Sequence, residues 1–222
     1  MRMTTTLPLA RPGERLTLQE HVYRQMKTLL MTGEMAPGEQ LTVRAVAERT
    51  GTSPMPVREA FRRLASERAL EIMPNGTARV RLLSAGQCRE LIEIRQELEG
   101  LAVRRAAPAM TRPGLRALER RNTAMEKALA RRDFRGYARE NQAFHFLLYA
   151  AAGRGELLGL IEGLWLQMGP TLMARATQIA TGEIRQPGDL LDDHRKILAA
   201  LRDGDAAAAE RALRGDLAKI PL

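Results

Sequence analysis

The sequence predicts a mainly α-helical protein, with an N-terminal winged helix-turn-helix followed by a C-terminal all-helical bundle. Only 4% of the 222 residues are aromatic, and 45% are hydrophobic. Apolar residues recur at helical spacing through most of the chain, and the strongest hairpin signal is the pair Asn75-Gly76. Because the length favours two domains, we expect a flexible arm over residues 1–15, a first domain over residues 16–82 and a second over residues 84–222.

The charge of the chain favours a polyanionic partner. The net charge is +9, which suits nucleic acid or an anionic membrane surface, and a general arginine bias of the source organism is the alternative. Cys88 is the only cysteine, which excludes an intramolecular disulfide and favours a reducing compartment. The longest apolar runs, such as residues 144–152, fall well short of the roughly 20 residues that span a bilayer. The N-terminus lacks the apolar core of a signal peptide, so we expect a cytoplasmic protein without a membrane segment.

Two helices are predicted at the start of the first domain. Thr17 and Glu20 have capping-box spacing, and helical periodicity continues from there until Gly33. After a turn at residues 36–38, Thr42 can cap a short second helix that Gly51 ends.

The third helix is predicted to be apolar on one side and basic on the other. Ser53 can cap it, and Pro54 takes its first position, where a missing N–H is tolerated. At about 100° per residue, one side holds Val57, Ala60, Phe61 and Leu64, and the other holds Met55, Arg58, Glu59, Arg62 and Arg63. Two short β-favourable runs then flank Asn75-Gly76 and predict a hairpin. Three helices and a hairpin make a winged helix-turn-helix.

The polar side of the third helix is suited to DNA. The N–H groups and positive dipole end at the start of a helix attract phosphate, and arginine on such a helix can read guanine in the major groove. We expect Glu59 to pair with Arg62 or Arg63 at helical spacing. The alternative is an ordinary solvated amphipathic helix, which the turn before the helix and the hairpin after it disfavour.

Residues 20–82 resemble the DNA-binding domain of GntR-type transcriptional regulators. The resemblance rests on the segments PGEQL and VAERTGTSPMPVREAFRRLASERAL and on the Pro-x-Gly motif that follows them. It implies DNA contacts in the second helix, the third helix and the wing, at Arg44, Ser53, Met55, Arg58 and Gly76. Arg62 and Arg63 would lie nearer the phosphate backbone. Many relatives have arginine where this chain has Pro54.

The second domain is predicted to be helical throughout. Ser84 and Gln87 have capping-box spacing, and only helical periodicity follows as far as Leu217. Breaks at proline, glycine and charged residues divide this region into about six helices, one of them kinked at Pro170.

Four polar side chains fall on faces that should point into this helical bundle. Asn141 and His145 share a face of one helix. His194 and Asp216 lie on the apolar stripes of two later helices. Because buried polar groups must satisfy one another or a bound ion, the four residues indicate either a hydrogen-bonded cluster or a divalent metal such as Zn, Ni or Mn.

Arg95 is predicted to point inward as well, because it lies between Leu91 and Leu98 on an apolar helical face. A buried guanidinium needs an anion. Glu99, four residues on, or another internal acid can supply one. The alternative is the carboxylate or phosphate of a small effector.

Three segments of the second domain resemble the all-helical FCD effector domain of the FadR subfamily: LIEIRQELEGLAVRRAA, NQAFHFLLYAAAG and DDHRKILAALRDGDAAAAERALRGDL. Members with metal use an Asp or Asn, a His four residues on, and two further histidines from the last helices. The matching positions here are Asn141, His145, His194 and Asp216, the last an aspartate where histidine is usual. The resemblance also implies a small organic acid as effector, with Arg95 as its anchor.

Together the two domains predict a homodimeric, effector-responsive transcriptional repressor that binds a pseudo-palindromic, double-stranded DNA operator. One alternative is a metal-dependent enzyme built on the helical bundle, although the sequence shows no additional nucleophile or general base in position. The other is a regulator that senses the metal alone. Sequence patterns do not separate these alternatives.

Overall fold

A computed structural model of the chain describes residues 17–183 and 190–219. The chain separates into two compact units, one formed by residues up to Leu82 with Leu166–Thr171, and the other by Leu83–Trp165 with the residues from Leu172 onward. The predicted flexible arm, residues 1–15, lies outside the described residues. Within the described ranges, no helix combines the length and the apolar character needed to cross a bilayer.

As far as Leu82, the described part of the first unit contains three helices and three short strands. They are α1 (Leu18–Met31), β1 (Gln40–Leu41), α2 (Val43–Thr50), α3 (Pro54–Ser66), β2 (Leu70–Ile72) and β3 (Ala78–Val80). The predicted caps of α1 and α2 are present, because the side chains of Thr17 and Thr42 accept hydrogen bonds from backbone N–H groups of these helices. Gly51 ends α2 with a φ of 63°, a left-handed conformation that favours glycine.

The three strands form an antiparallel sheet in the order β1-β3-β2. The predicted hairpin pairs Leu70 with Val80, and Gly76 turns the chain between the strands with a φ of 76°. On the other edge of β3, Gln40 lies opposite Arg79. The sequence did not indicate β1, because two residues are too few to show the period-two pattern of a strand.

The core of the first unit lies where α1 packs against α3. Val22, Met26 and Leu30 of α1 and Val57 and Leu64 of α3 are fully buried. Because these apolar residues of α3 face α1, the basic side of the helix is left exposed.

In the second unit, the described residues form a helical bundle, as predicted. Its elements are α4 (Ala85–Ala106), a short 3-10 turn (Ala107–Ala109), α5 (Arg112–Ala130), α6 (Phe134–Ala150), α7 (Gly155–Thr181), α8 (Asp192–Asp203) and α9 (Ala206–Ala218). Of α7, the segment Leu166–Thr171 is assigned to the first unit. Ser84 and Gln87 form a capping box at the start of α4, and Pro170, the position of the predicted kink, lies inside α7. Helix α4 packs against α6 and α9, α5 against α6 and α8, and α8 against α9. The inward faces of α4, α6, α8 and α9 therefore share one core.

Candidate DNA-binding surface and metal centre

The exposed side of α3 presents Met55 and Arg58. Met55 is 67% exposed although its side chain is apolar, and Arg58, one turn further on, is also exposed. No acidic group lies within ion-pair distance of Arg58 in the part of the chain that the structure describes. A cationic and an apolar side chain that stand side by side in solvent are suited to the acceptors of guanine and the methyl group of thymine in the major groove.

Arg58 lies beside the tip of the hairpin. Its Nη1 atom is 4.0 Å from the position that a Cβ would take on Gly76. The positive φ of Gly76 favours a residue without a side chain at the tip. The structure thus brings together Arg58 and Gly76, two of the residues that the resemblance implies in DNA contact.

The N-terminus of α3 departs from the predicted cap. Ser53 occupies the N-cap position, but its side chain makes no capping hydrogen bond. Pro54 and Pro56 have no N–H, so Met55 carries the only N–H group among the first three helical positions. The hydroxyl and backbone N–H of Ser53 and the N–H of Met55 are therefore the donors that this helix end offers to a phosphate. A helix without the two prolines would offer more.

The other arginines of the predicted surface have acidic partners. Arg62 pairs with Glu59 at 2.7 Å, as expected for one of the two neighbouring arginines. On α2, Arg44 is highly exposed and pairs with Glu48 at 2.8 Å. These exposed pairs are weak, so both guanidinium groups can exchange their partner for a phosphate at little cost.

Arg63 has a different role from the one expected. Its guanidinium carbon lies 3.5 Å from the centre of the Tyr23 ring, and it forms ion pairs with Glu20 at 3.0 Å and Glu67 at 3.3 Å. The sequence had suggested phosphate or Glu59 as its partner. Tertiary contacts with α1 hold the side chain instead, because α1 supplies both an aromatic ring and a carboxylate.

The four polar residues predicted to point inward meet in the core of the second unit. His145 Nε2 lies 3.3 Å from one carboxylate oxygen of Asp216, and His194 Nδ1 lies 3.5 Å from the other. Asn141 Oδ1 lies 3.0 Å from His194 Nε2. Both histidines are only 1% exposed. One ligand atom from each of His145, His194 and Asp216 can be chosen so that all lie within 4.8 Å of one another.

The charges in this cluster are those of a cation site. Burial lowers the pKa of His194 to about 4, so its ring is neutral at neutral pH. Burial alone would raise the pKa of Asp216, but the two histidines and Lys219 lower it to about 2. At neutral pH a negative carboxylate therefore faces the neutral imidazole of His194.

The hydrogen bonds around His194 leave its second ring nitrogen without a proton. Its Nε2 lies against the amide oxygen of Asn141, which only accepts, so Nε2 is the donor and carries the proton of the neutral ring. Nδ1 is buried and has no hydrogen-bond partner among the described residues. Because this bare nitrogen faces a carboxylate oxygen, the two acceptors repel each other unless a cation lies between them.

These residues fit a divalent metal ion. Ligands about 2.1 Å from a tetrahedral zinc are about 3.4 Å apart, and each histidine nitrogen lies at about that distance from one of the two Asp216 oxygens, 3.3 Å for His145 and 3.5 Å for His194. The donors would be His145 Nε2, His194 Nδ1 and an oxygen of Asp216. Asn141, predicted as a fourth ligand, orients His194 in this arrangement.

Arg95 is paired with Glu99, one of the two partners that the sequence left open. Both side chains are buried, and Arg95 Nε lies 2.6 Å from Glu99 Oε1. The indole N–H of Trp165 donates to the same oxygen at 3.1 Å. Tyr149 donates its hydroxyl proton to the other oxygen of this carboxylate.

Sequence reasoning missed Tyr149, whose oxygen also lies 3.0 Å from His145 Nδ1. Burial, and then the Glu99 carboxylate, raise the pKa of this hydroxyl well above its usual range, so it keeps its proton. The available signal was its position four residues after His145, on the same side of α6. Asp193 was missed too, although it is buried beside His194 and pairs with Lys219 at 2.6 Å.

Two family models match the chain. The model described as "FCD domain" matches residues 90–219, and the one described as "Bacterial regulatory proteins, gntR family" matches residues 18–80. The chain is 32% identical over 198 residues to the HTH-type transcriptional regulator McbR of Escherichia coli (strain K12). The aligned residues cover 89% of this chain and 87% of that protein. It is 29% identical over 203 residues to the HTH-type transcriptional repressor RspR of the same strain, with 91% and 87% covered.

Solved structures show the same similarity. The structure of E. coli McbR/YncC matches with a TM-score of 0.83 and 30% identity, covering 91% of this chain and 94% of that one. Since the relatives are named as transcriptional regulators, the enzyme alternative is set aside. The chain belongs to the GntR family of bacterial regulatory proteins, and it is a transcriptional regulator with an FCD domain.

Proposed function

We propose that the protein is a cytoplasmic homodimeric repressor that binds a double-stranded DNA operator and responds to a small effector. The observation that carries the DNA-binding proposal is the position of Arg58 beside Gly76 at the hairpin tip. Its side chain is exposed and has no acidic partner among the described residues. Arg58 would read guanine, and Met55 would contact a neighbouring base edge. Arg44, Ser53, Arg62 and Gly76 would contact or approach the phosphate backbone. Repression is the role named for RspR, and we extend it to this chain.

The second unit would bind one divalent ion, Zn, Ni or Mn, through His145, His194 and Asp216, with Asn141 orienting His194. The ion would link α6, α8 and α9. When bound, it would supply a positive charge that attracts an anionic effector. The support for this proposal is the buried, unprotonated Nδ1 of His194 that faces the Asp216 carboxylate.

A small organic acid is the effector that we propose. Arg95 is its anchor in this proposal, because the guanidinium is buried in the bundle core and is suited to a carboxylate. Glu99 already holds Arg95, so the acid would compete with an internal carboxylate. Binding would then shift the population between arrangements of the two DNA-binding units.

A regulator that responds to the metal alone is the second candidate, and the donor set of His145, His194 and Asp216 favours it. The two candidates differ in one measurement. Addition of Zn2+ to chelator-treated protein would change operator affinity for a metal sensor. For an acid-responsive regulator, operator affinity would change only when an organic acid is added.

For the dimer, we propose a contact through α4. Leu91, Ile94, Leu98 and Leu101 recur at spacings of three and four residues, as in a helix that packs against another copy. Ile94 is 40% exposed, and the other three are partly exposed. Two copies related by a two-fold axis would cover these side chains and would match a pseudo-palindromic operator.

The DNA-binding proposal is tested by Arg58→Ala. Binding to a labelled duplex from the region upstream of the protein's own gene is measured by fluorescence anisotropy, with unlabelled nonspecific DNA as competitor. Loss of one bidentate guanine contact, about 1–3 kcal/mol, weakens specific binding roughly 5- to 150-fold. Arg116→Ala, which removes an exposed arginine of α5, controls for net charge. Unchanged specific binding by folded Arg58→Ala would refute the role of this residue.

A further inference from the structure

A chain of buried hydrogen bonds leads from Arg95 to His145 through Glu99 and Tyr149. Arg95 Nε donates to Glu99 Oε1 at 2.6 Å, Tyr149 donates to Glu99 Oε2, and Tyr149 Oη lies 3.0 Å from His145 Nδ1. The far side of the His145 ring, at Nε2, faces Asp216 at 3.3 Å. One side of the ring therefore faces the proposed ion, and the other faces this hydrogen-bonded chain.

The direction of each hydrogen bond follows from the number of protons available. The Glu99 carboxylate, paired with the permanently charged Arg95, can only accept. A phenol has one proton, so when Tyr149 donates it to Glu99, the phenol oxygen can only accept from His145. His145 Nδ1 must then be the donor and carry a proton.

We propose that Glu99 and Tyr149 are positioning residues that keep the proton of His145 on Nδ1 and so leave Nε2 free to bind a divalent ion. This inference rests on the metal centre proposed above. Tyr149 acts directly on His145, and Glu99 acts through Tyr149. Residues that accept a hydrogen bond from a metal-binding histidine orient its ring, and their mutation strongly weakens metal affinity.

His194 shows the same arrangement with the opposite ring nitrogen. There the proton lies on Nε2, held by Asn141, and Nδ1 faces Asp216. Two different hydrogen-bond partners thus direct an unprotonated nitrogen from each histidine towards one carboxylate. This convergence is expected for a cation site, and a simple hydrogen-bonded cluster would instead direct protons at the carboxylate.

Two substitutions test the inference in different ways. Tyr149→Phe removes the acceptor for His145 Nδ1 and leaves the ion pair of Arg95 and Glu99 in place. Glu99→Gln keeps an oxygen at the Oε1 position, where Arg95 Nε and Trp165 donate, and turns an NH2 group towards Tyr149. It loses only the long hydrogen bond from Arg95 Nη2 to Oε2, at 3.4 Å. Tyr149 must then accept from the amide and donate to His145 Nδ1, which moves the histidine proton to Nε2 and blocks the metal ligand.

The proton position is measured directly by NMR of 15N-labelled, metal-free full-length protein at pH 8. Two-bond 1H–15N correlations identify the protonated ring nitrogen, and the chain has only three histidines to assign. We expect a protonated Nδ1 on His145 in the wild type and a protonated Nε2 in Glu99→Gln. A bare Nδ1 in the wild type, or the same tautomer in both proteins, would overturn the inference.

Zinc affinity is measured by competition with a chromophoric chelator. We expect Tyr149→Phe and Glu99→Gln to weaken binding by about 10- to 100-fold. Tyr137→Phe, which removes a hydroxyl from the same helix, serves as the matched control and keeps wild-type affinity. Wild-type affinity in folded Tyr149→Phe would also overturn the inference. If the wild-type chain binds no zinc, the proposed metal centre is wrong, and the NMR result alone decides the role of Glu99 and Tyr149.

Discussion

Arg63 stacks on Tyr23, with its guanidinium carbon 3.5 Å from the centre of the ring. The hydroxyl of Tyr23 in turn donates to both carboxylate oxygens of Glu67, at 2.9 and 3.0 Å. This arrangement ties α3 to α1. Arg58, on the same helix, faces solvent instead. The arginine that holds α3 against α1 and the arginine that we propose for DNA recognition are therefore five residues apart.

Arg63→Ala should destabilise the first unit. The stacking and the two ion pairs of this half-exposed side chain contribute about 1 kcal/mol in total to the free energy of unfolding. The loss of stability in the variant does not depend on DNA. Urea unfolding of the full chain, followed by circular dichroism, measures it. Arg62→Ala is the control, because its exposed pair with Glu59 should change stability by no more than about 0.5 kcal/mol. Equal stability of the two variants would contradict a structural role for Arg63.

His145→Ala should remove the bound metal. We expect the purified wild-type protein to contain about one divalent ion per chain by elemental analysis, because one compact donor set of this kind is present in the described part of the chain. Chelation should lower the melting temperature of the wild type and leave that of the variant unchanged. His21→Ala, which changes a histidine of the first unit, should retain the ion. Metal-free wild-type protein with unchanged stability after the substitution would count against the site.

The stability of the metal-free protein should fall as the pH is lowered from 6.5 towards 4. The folded pKa of His194, about 4, lies below the unfolded value of 6.5 because burial disfavours the charged ring. The unfolded chain therefore binds the proton first, and the stabilisation present above pH 6.5 is lost progressively, by about 3 kcal/mol across the window. The ionised carboxylate of Asp216 also stabilises the folded chain, but this contribution is lost only below pH 4, because the folded pKa of Asp216 is about 2.

Unfolding in the presence of a chelator, at several pH values between 4.5 and 7.5, checks this prediction. His194→Gln should show a shallower dependence of unfolding free energy on pH than the wild type. Carboxylates outside this cluster contribute equally to both proteins, so the difference between the two slopes reports His194 together with Asp216, whose pKa His194 lowers. Parallel slopes would show that this ring titrates normally in the folded chain.

Ile94→Asp should dissociate the proposed dimer. The side chain is 40% exposed in the single chain, so the substitution should leave the fold intact while it places two carboxylates in an apolar contact. Sedimentation should show two chains for the wild type and one for the variant. Thr123→Asp, at an exposed position of α5, should remain dimeric. A dimer of undiminished stability in Ile94→Asp would place the contact elsewhere.

Local patterns in the sequence determined the helices, the hairpin and which residues point inward. The boundaries of the helices and of the hairpin are marked by capping residues such as Thr17 and Ser84 and by glycine at positions 51 and 76. These residues act through interactions that span only a few positions of the chain. Helical periodicity was enough to predict that His145, His194 and Asp216 point inward, because it depends on the angle between neighbouring residues alone.

Tertiary structure decided which partner each of these side chains has. The sequence left two alternatives for Arg95, an internal acid such as Glu99 or an effector, placed Arg63 with Glu59 or phosphate, and gave no role to Tyr149. These outcomes depend on contacts between residues as far apart as Tyr23 and Arg63 or Asn141 and His194. Such contacts are set by how whole helices pack, and proton positions follow from the complete set of donors and acceptors, which a one-dimensional pattern does not contain.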